Sequence, residues 1–407
     1  MEELRSFSDS CESNAYSCCS TQKKQLISHG LEHFFALPGS ELPNKRGENR
    51  VSLDKLALSE TSPPENANCP AGKQPEYDVH ERLKKRNRAK WIGQHIIDAL
   101  ASIDDSPLHK SYVNSKYCSS VVMVEDGRTR STYCKNRWCL VCSRNKTGVM
   151  INRYEDAIRR EIKEPYFVTL TNLNVCEADL SEEVSRFIKF RTSTNKRFYK
   201  RFQRAKSKGK SNPENYKMRA VWGLEGTYNH IHNDYNPHFH ILIDGEEAAN
   251  ELVDCWLKTF PEADMQAQKV KPADEGSLLE VFKYSVKMLS EDILESKKKG
   301  KIYVRALDKL YQAFRGRMLI RSYNLSVEVN DEISEEEMEA YQFAENEDMD
   351  GVYSWVGDNW YNMETGESLT TFVLGPKELA LPDIIVTDFL PTWSRARRKY
   401  GGKSPPT

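Results

Sequence analysis

The chain has 407 residues, of which 39% are hydrophobic and 29% charged, enough for one or two globular domains under a very polar surface. Its net charge of −1 hides an asymmetry, because residues 1–79 carry −4, residues 80–330 carry +13 and residues 331–407 carry −10. A basic middle between acidic ends points to a polyanionic ligand. Three classes are excluded: no apolar run approaches the length of about 18 that a membrane span needs, the N-terminus lacks secretory character, and ten cysteines are too sparse for a disulfide scaffold. That leaves a reducing, cytoplasmic setting in which clustered cysteines bind metal.

Residues 1–79 are rich in Ser, Asn, Glu and Pro without a sustained period, so they read as a largely disordered segment. Within it, Gln25–Leu37 is a short helical stretch and Ser59–Pro75 a linker. Residues 80–150 open with a helix over His80–Ile103, which carries Trp91, Ile92, Ile96, Ile97 and Leu100 at helical spacing. A cysteine-rich stretch, Cys118–Cys142, follows, with a hairpin turn at Glu125-Asp126-Gly127.

Residues 151–330 alternate densely. The pattern predicts a helix over Asn152–Lys163, a strand over Tyr166–Thr171 and a long basic helix over Ser181–Lys206. Strands Met218–Thr227 and Pro237–Ile243 follow, separated by a break at Asp234-Tyr235-Asn236-Pro237. Then come helix Glu246–Phe260, short strand Gln268–Lys271, helices Gly276–Asp292 and Arg305–Arg315, and strand Leu319–Val329. This order predicts an α+β fold: a ferredoxin-like or RRM-like split βαβ antiparallel sheet with helices on one side, joined to a small cysteine-rich zinc-binding element. Residues 331–407 hold ten acids within Asp331–Asp350, a hairpin-like appendage at Tyr353–Thr371 and a basic tail at Arg395–Lys403.

The sharpest chemical signal is Pro237-His238-Phe239-His240-Ile241-Leu242-Ile243. Alternate residues of a strand face the same way, so His238 and His240 point together, and two adjacent imidazoles are half of a metal site. The competing reading is a pair of histidines bonded to carboxylates. His230-Ile231-His232 is a weaker rival, since it lies in a polar stretch. Glu225, in the neighbouring strand, is the candidate third ligand. Two imidazoles and one carboxylate leave open positions and suit Mg²⁺ or Mn²⁺ acting on phosphate.

Glu280, Tyr284 and Lys287 share one face of the helix over Gly276–Asp292. The ordinary reading is a surface network. The chemical one is a tyrosine that attacks a metal-polarised phosphodiester, a lysine that steadies the phosphate and a glutamate that activates water. Cys118, Cys134, Cys139 and Cys142 fall within 25 residues and end in a C-x2-C, which suits structural Zn²⁺. Trp138 and Arg137 beside them are expected to pack and to contact phosphate. Arg186–Lys210 holds eleven Lys and Arg interleaved with Phe187, Phe190, Phe198, Tyr199 and Phe202, either a solvated face or a phosphate-backbone contact.

In order and spacing, these residues resemble the rolling-circle replication initiators of small plasmids, within the HUH endonuclease superfamily, over roughly residues 110–325. Phe167–Thr171 resembles that group's first motif, Asn236–Leu242 the metal-binding HUH motif, and Glu280–Lys287 the Y-x-x-K motif of the single-tyrosine branch. Arg137-Trp138-Cys139-x-x-Cys142 is also a feature of the group. The resemblance implies His238, His240 and Glu225 as metal ligands, Tyr284 as nucleophile, Glu280 in the terminating hydrolysis and Lys287 at the phosphate. It implies plasmid origin DNA, single-stranded or hairpin, as substrate, and host helicase and DNA polymerase as partners. Glycines expected after Ile320 are replaced by Tyr323 and Asn324. A relaxase- or transposase-type strand transferase, or a zinc-stabilised DNA-binding protein without catalysis, remain the alternatives.

Overall fold

The computed structural model describes residues 79–125, 128–282, 301–327 and 350–387. Residues 1–78, the turn at Asp126-Gly127, Tyr284 and Lys287, the rest of the helix expected to reach Asp292, the segment 331–349 and the tail Arg395–Lys403 lie outside the described residues.

Helix α1 (Val79–Leu100) forms where the apolar spacing predicts it, and buries Trp91, Ile92, Ile96, Ile97 and Leu100. Helix α2 (His109–Lys116) is not evident from its polar sequence, because it buries little beyond Tyr112 and Ser115. The Tyr112 hydroxyl donates to the buried Asp308 at 2.8 Å, which holds the helix down. Strands β1 (Val121–Glu125) and β2 (Arg128–Ser131) form the expected hairpin. Helix α3 (Leu140–Glu161) begins at Leu140 rather than near Asn152. Its first half buries residues almost all round, including Val149, Met150 and Ile151 in succession, so it shows no one-sided apolar stripe.

The central body follows in the predicted order: β3 (Pro165–Thr171), α4 (Glu177–Ser207), β4 (Ala220–Asn229), β5 (Asp234–Asp244), α5 (Glu246–Thr259), β6 (Lys269–Pro272) and α6 (Glu275–Phe282). After these come β7 (Ile302–Tyr303), α7 (Val304–Phe314) and β8 (Ile320–Tyr323). The sheet order is β6-β3-β5-β4-β8, with every pairing antiparallel. Its first four strands make the split βαβ plait. Strands β4 and β5 run further than expected, through Tyr228 and back from Asp234, and Pro237 pairs with Gly226 inside the ladder. The Leu224 N–H turns away from β5 to reach the Leu319 carbonyl, so the position with its parity, Pro237, has its nitrogen on the β3 side. There the regular ladder has already ended at Thr171 and His238, and the missing N–H costs nothing.

One sheet face carries Val168, Leu170, Trp222, Leu224, Phe239, Ile241 and Ile243, and these pack in one core with Phe187, Phe190 and Phe198 of α4 and Leu252 and Trp256 of α5. Each such side chain contributes about 1.5–3 kcal/mol by leaving water. The second face is not open, contrary to the expectation of helices on one side only. Phe167, Val221, Leu242 and Ile320 are apolar at one end of it and need cover, which Met150, Tyr154 and Ile158 of α3 and Val281 and Phe282 of α6 supply. The closeness of α6 depends on Gly223: a Cβ there would stand 2.3 Å from the Val281 carbonyl oxygen.

The appendage expected at Tyr353–Thr371 is a hairpin, β9 (Gly351–Val356) and β10 (Asn359–Asn362), and it pairs with β1 in a second sheet of order β10-β9-β1-β2. Trp360 is fully buried there and donates its indole N–H to the Ser119 carbonyl at 2.8 Å. Short helices α8 (Pro376–Leu379) and α9 (Leu381–Ile384) follow, and β11 (Ile385–Val386) pairs parallel with β7. Arg88 of α1 holds Glu378 at 2.7 Å. No helix among the described residues is long and apolar enough to cross a membrane.

Candidate functional site

His238 and His240 stand on the second sheet face, beyond the area covered by α3 and α6. Register places Glu225 directly across from His238, and Gly223 across from His240. Both imidazole Nε2 atoms approach the same Glu225 oxygen, Oε2, at 3.6 Å from His238 and 3.2 Å from His240. The far nitrogens are held in place. His238 Nδ1 lies 3.0 Å from the Asn236 carbonyl, and His240 Nδ1 lies 3.4 Å from Thr169 Oγ1. With Nδ1 protonated toward the carbonyl, Nε2 of His238 presents a lone pair to the centre. The His240 ring also stacks on Phe167, 5.4 Å between centroids.

This cluster fits a divalent cation. Glu225 is 3% exposed and the two histidines 8% each, yet both Glu225 carboxylate oxygens and His240 Nε2 are buried without a hydrogen-bond partner. Three orphaned polar atoms aimed at one point would be costly unless something binds between them. The ligand atoms of all three residues lie within 4.8 Å of one another. Donors about 2.1 Å from a shared ion stand roughly 3.0–3.5 Å apart in octahedral or tetrahedral arrangements, close to the spacing seen. Burial resists ionisation of Glu225, but the His238 and His240 rings beside it outweigh that and hold its carboxyl well below the usual carboxylate range. The rim is polar: Thr171 donates to Asn236, whose amide donates to Asn174.

Sequence spacing alone could not identify Thr169. It becomes a neighbour of His240 only through the β3–β5 register, and the alternation Phe167, Thr169, Thr171 was the available signal. Glu280 lies on α6, half-buried, and Thr147 fastens the Phe282 carbonyl at 3.3 Å. Tyr284 and Lys287, the other members of that expected stripe, fall outside the described residues. The rival His230-Ile231-His232 sits at the β4–β5 turn, where His230 stacks on Tyr303, and it joins no metal-ligating group among the described residues.

The four expected cysteines do converge. Cys118 follows α2, Cys134 follows β2, Cys139 caps α3 and Cys142 lies in its first turn. Cys118 and Cys142 sulfurs are 3.5 Å apart, and Cys134 and Cys142 are 3.7 Å apart. A tetrahedron of sulfurs about 2.3 Å from zinc has edges of about 3.8 Å, so the set could hold such an ion with little movement. Contacts from Cys118, Cys139 and Cys142 pull the Cys134 thiol far below its ordinary value, whereas Cys139 is pushed well above it. Cys142, like Cys139, is pushed above its ordinary value by the neighbouring sulfurs and by burial, so these two thiols resist ionisation unless a cation compensates. The buried Lys90 donates to the Cys118 carbonyl at 2.6 Å. Trp138 packs between Tyr112 and Tyr311 as expected. Arg137 donates to the Phe314 carbonyl at 3.0 Å and caps α7. Of the other described thiols, Cys176 donates to Asp179 and Cys255 accepts from Arg197.

Fold and site thus define an α+β chain that presents a His-His-Glu cluster on one face of a split βαβ sheet, with a four-cysteine cluster at the head of the helix packed on that face. No family model and no solved structure matches the chain. Among curated proteins it is similar to the Protein rep of Staphylococcus aureus, at 28% identity over 243 residues, covering 55% of this chain and 97% of that one. It is also similar to the Protein rep of Streptococcus pneumoniae serotype 2, at 26% identity over 204 residues, covering 44% of this chain and 60% of that one.

Proposed function

We propose that the chain is a plasmid replication initiator of the HUH type, a site-specific single-strand DNA endonuclease that starts rolling-circle replication. The observation that carries this reading is the convergence of Glu225, His238 and His240, with both Glu225 carboxylate oxygens and His240 Nε2 buried and without a hydrogen-bond partner. The relatives named Protein rep support the coarser statement, a Rep replication protein.

The three ligands would hold Mg²⁺ or Mn²⁺, which when bound supplies Lewis-acid stabilisation of charge on the scissile phosphate. Thr169 and the Asn236 carbonyl orient the imidazoles. Tyr284 Oη attacks the phosphorus and gives up its proton, the P–O3′ bond breaks, and the departing 3′ oxygen takes a proton. The 5′ end stays on the enzyme as a phosphotyrosine, and the free 3′ hydroxyl primes a host polymerase behind a host helicase. Lys287 steadies the phosphate, and Glu280 activates the water or hydroxyl that later releases the protein. The four cysteines would hold structural Zn²⁺ and fix the head of α3.

The test is covalent trapping. Full-length protein is incubated with Mn²⁺ and labelled single strands from the origin of its own replicon, then resolved on denaturing gels. A labelled protein band that disappears with Tyr284→Phe and with chelator is the expected result. Clear DNA binding without an adduct on any strand would overturn the nickase reading in favour of a non-catalytic DNA-binding protein.

A further inference from the structure

The basic helix α4 divides its charges into two groups. Of the eleven Lys and Arg between Arg186 and Lys210, the fold uses four. Arg186 pairs with Glu183 and Glu262, and Arg191 donates to the Met318 and Leu319 carbonyls. Arg197 donates to Cys255, and Arg201 pairs with Glu251. The other seven are exposed and make no ion pair among the described residues. No Asp or Glu occurs between Val184 and Pro213, so the helix supplies its lysines with none of the i,i+4 acid partners that surface helices commonly carry. Lys196, Lys200, Arg204 and Lys208 follow one another at i,i+4, and like charges at that spacing repel. A solvated face needs no such arrangement, whereas a polyanion would relieve the repulsion. The half-exposed Tyr199 lies within the same stretch.

This face looks away from the metal ligands. Phe187, Phe190 and Phe198 seat α4 on the core shared with Phe239 and Ile241, whereas His238 and His240 point out of the opposite face of the same strand. The outer lysines are therefore separated from the nicking centre by the sheet and a helix about 10–12 Å across. Nucleotides held at the metal centre cannot also lie on this surface. At 3.4 Å per base pair, a gap of roughly 20 Å corresponds to about six base pairs. The four cations of the Lys196–Lys208 stripe rise about 6 Å per step over roughly 18 Å, a length along which a duplex presents about ten phosphates.

We infer that the outer face of α4 is a second DNA-contacting surface, which grips duplex flanking the nick site through its phosphates, on the side of the sheet opposite the nicking centre. The inference rests on the proposed nickase reading for the role of the metal side, and its test separates the two. Full-length protein and a Lys196→Gln/Lys200→Gln/Arg204→Gln variant are compared in two assays. One measures affinity for duplex DNA from its own replicon as a function of salt. The other measures adduct formation on a short single strand that covers only the nick site.

The log–log salt slope of duplex binding is expected to fall by about 2.7, which is 0.9 for each lost phosphate contact, while the short-strand adduct forms as in the unaltered chain. Lys200→Gln alone, which perturbs the helix least, is expected to lower the slope by about 0.9. An unchanged slope in a variant with unaltered circular dichroism overturns the inference and points to an acidic protein partner. A short-strand adduct that falls as far as duplex binding also overturns it, because the face would then serve the nicked strand. If the unaltered chain forms no adduct, the nickase reading fails, yet the slope comparison still decides whether α4 grips duplex.

Discussion

Gly223 offers the most direct test of how the sheet positions α6. In Gly223→Ala the added Cβ stands 2.3 Å from the Val281 carbonyl oxygen and 3.2 Å from its carbonyl carbon, where ordinary contact begins near 3.4 Å. Backbone cannot turn aside as a side chain would, so α6 must retreat by about 1 Å. Overpacking of this kind costs about 1–3 kcal/mol, and at roughly 2–4 °C per kcal/mol the melting temperature should fall by about 2–12 °C. The functional loss should be larger. α6 carries Glu280 and leads in sequence toward Tyr284, and a displacement of about 1 Å at a reacting group costs on the order of 100-fold in rate. Thermal unfolding and single-turnover adduct formation on an origin strand measure both effects. Gly276→Ala is the control within the same helix: its Cβ meets only Asp274 Oδ1, at 3.5 Å, and it should be neutral or slightly stabilising. A Gly223→Ala protein that nicks at the unaltered rate with an unchanged melting temperature would refute the idea that α6 is held by this close approach.

Three further outcomes follow from the described contacts. Thr169→Val removes the hydroxyl beside His240 Nδ1 and should weaken Mn²⁺ binding about 10–100-fold in calorimetric titration, whereas Thr169→Ser should retain it. Cys142→Ser removes the thiol that lies 3.5 Å from the Cys118 sulfur and 3.7 Å from the Cys134 sulfur. It should abolish zinc retention by elemental analysis and destabilise α3, and equal zinc content would show that the thiols are not ligands. Burial opposes ionisation of Glu378, but Arg88 outweighs it and lowers its carboxyl. The stabilisation is therefore fully present above the ordinary carboxylate value and is lost as pH falls through the depressed one. Glu378→Gln should cost about 2 kcal/mol near neutrality, with the difference from the unaltered protein closing in acid. A gap in urea-unfolding midpoints that stayed constant down to the lowest pH would contradict this assignment.

Local pattern made the candidate site unusually readable. Period-two alternation put His238 and His240 on one face, and the isolated carboxylate among Trp222 and Leu224 marked Glu225. The order of strands and helices sufficed for the plait, because the elements of that body other than the exposed edge strand β6 carry a clear apolar pattern. What escaped was decided by non-local contacts. Helix α2 is nearly all polar and is fixed through Tyr112 and Asp308, which are far apart in sequence. The early start of α3 was hidden because its first turns are buried on several sides. Cover over part of the face that carries the His-His-Glu cluster depended on α3 and α6 meeting Phe167 and Leu242. The strands around Pro237 continued through a residue that reads as a break, because its nitrogen faces the side where pairing has ended.

The second sheet joins strands whose partners lie far apart in the chain: β1 ends at Glu125, and β9 starts at Gly351. During synthesis at roughly 5–20 residues per second, the edge of β1 would wait about 10–45 s for the strand that covers it. In that interval its free N–H and C=O groups are a template for pairing with a neighbouring nascent chain. A frameshift or stop that removes residues after 350 would make the vacancy permanent, and would leave Ser119 without the Trp360 indole that closes it. Among the described residues the central body is in effect an insertion within the hairpin sheet, so β9 and β10, which leave the ribosome late, complete the sheet that β1 and β2 begin.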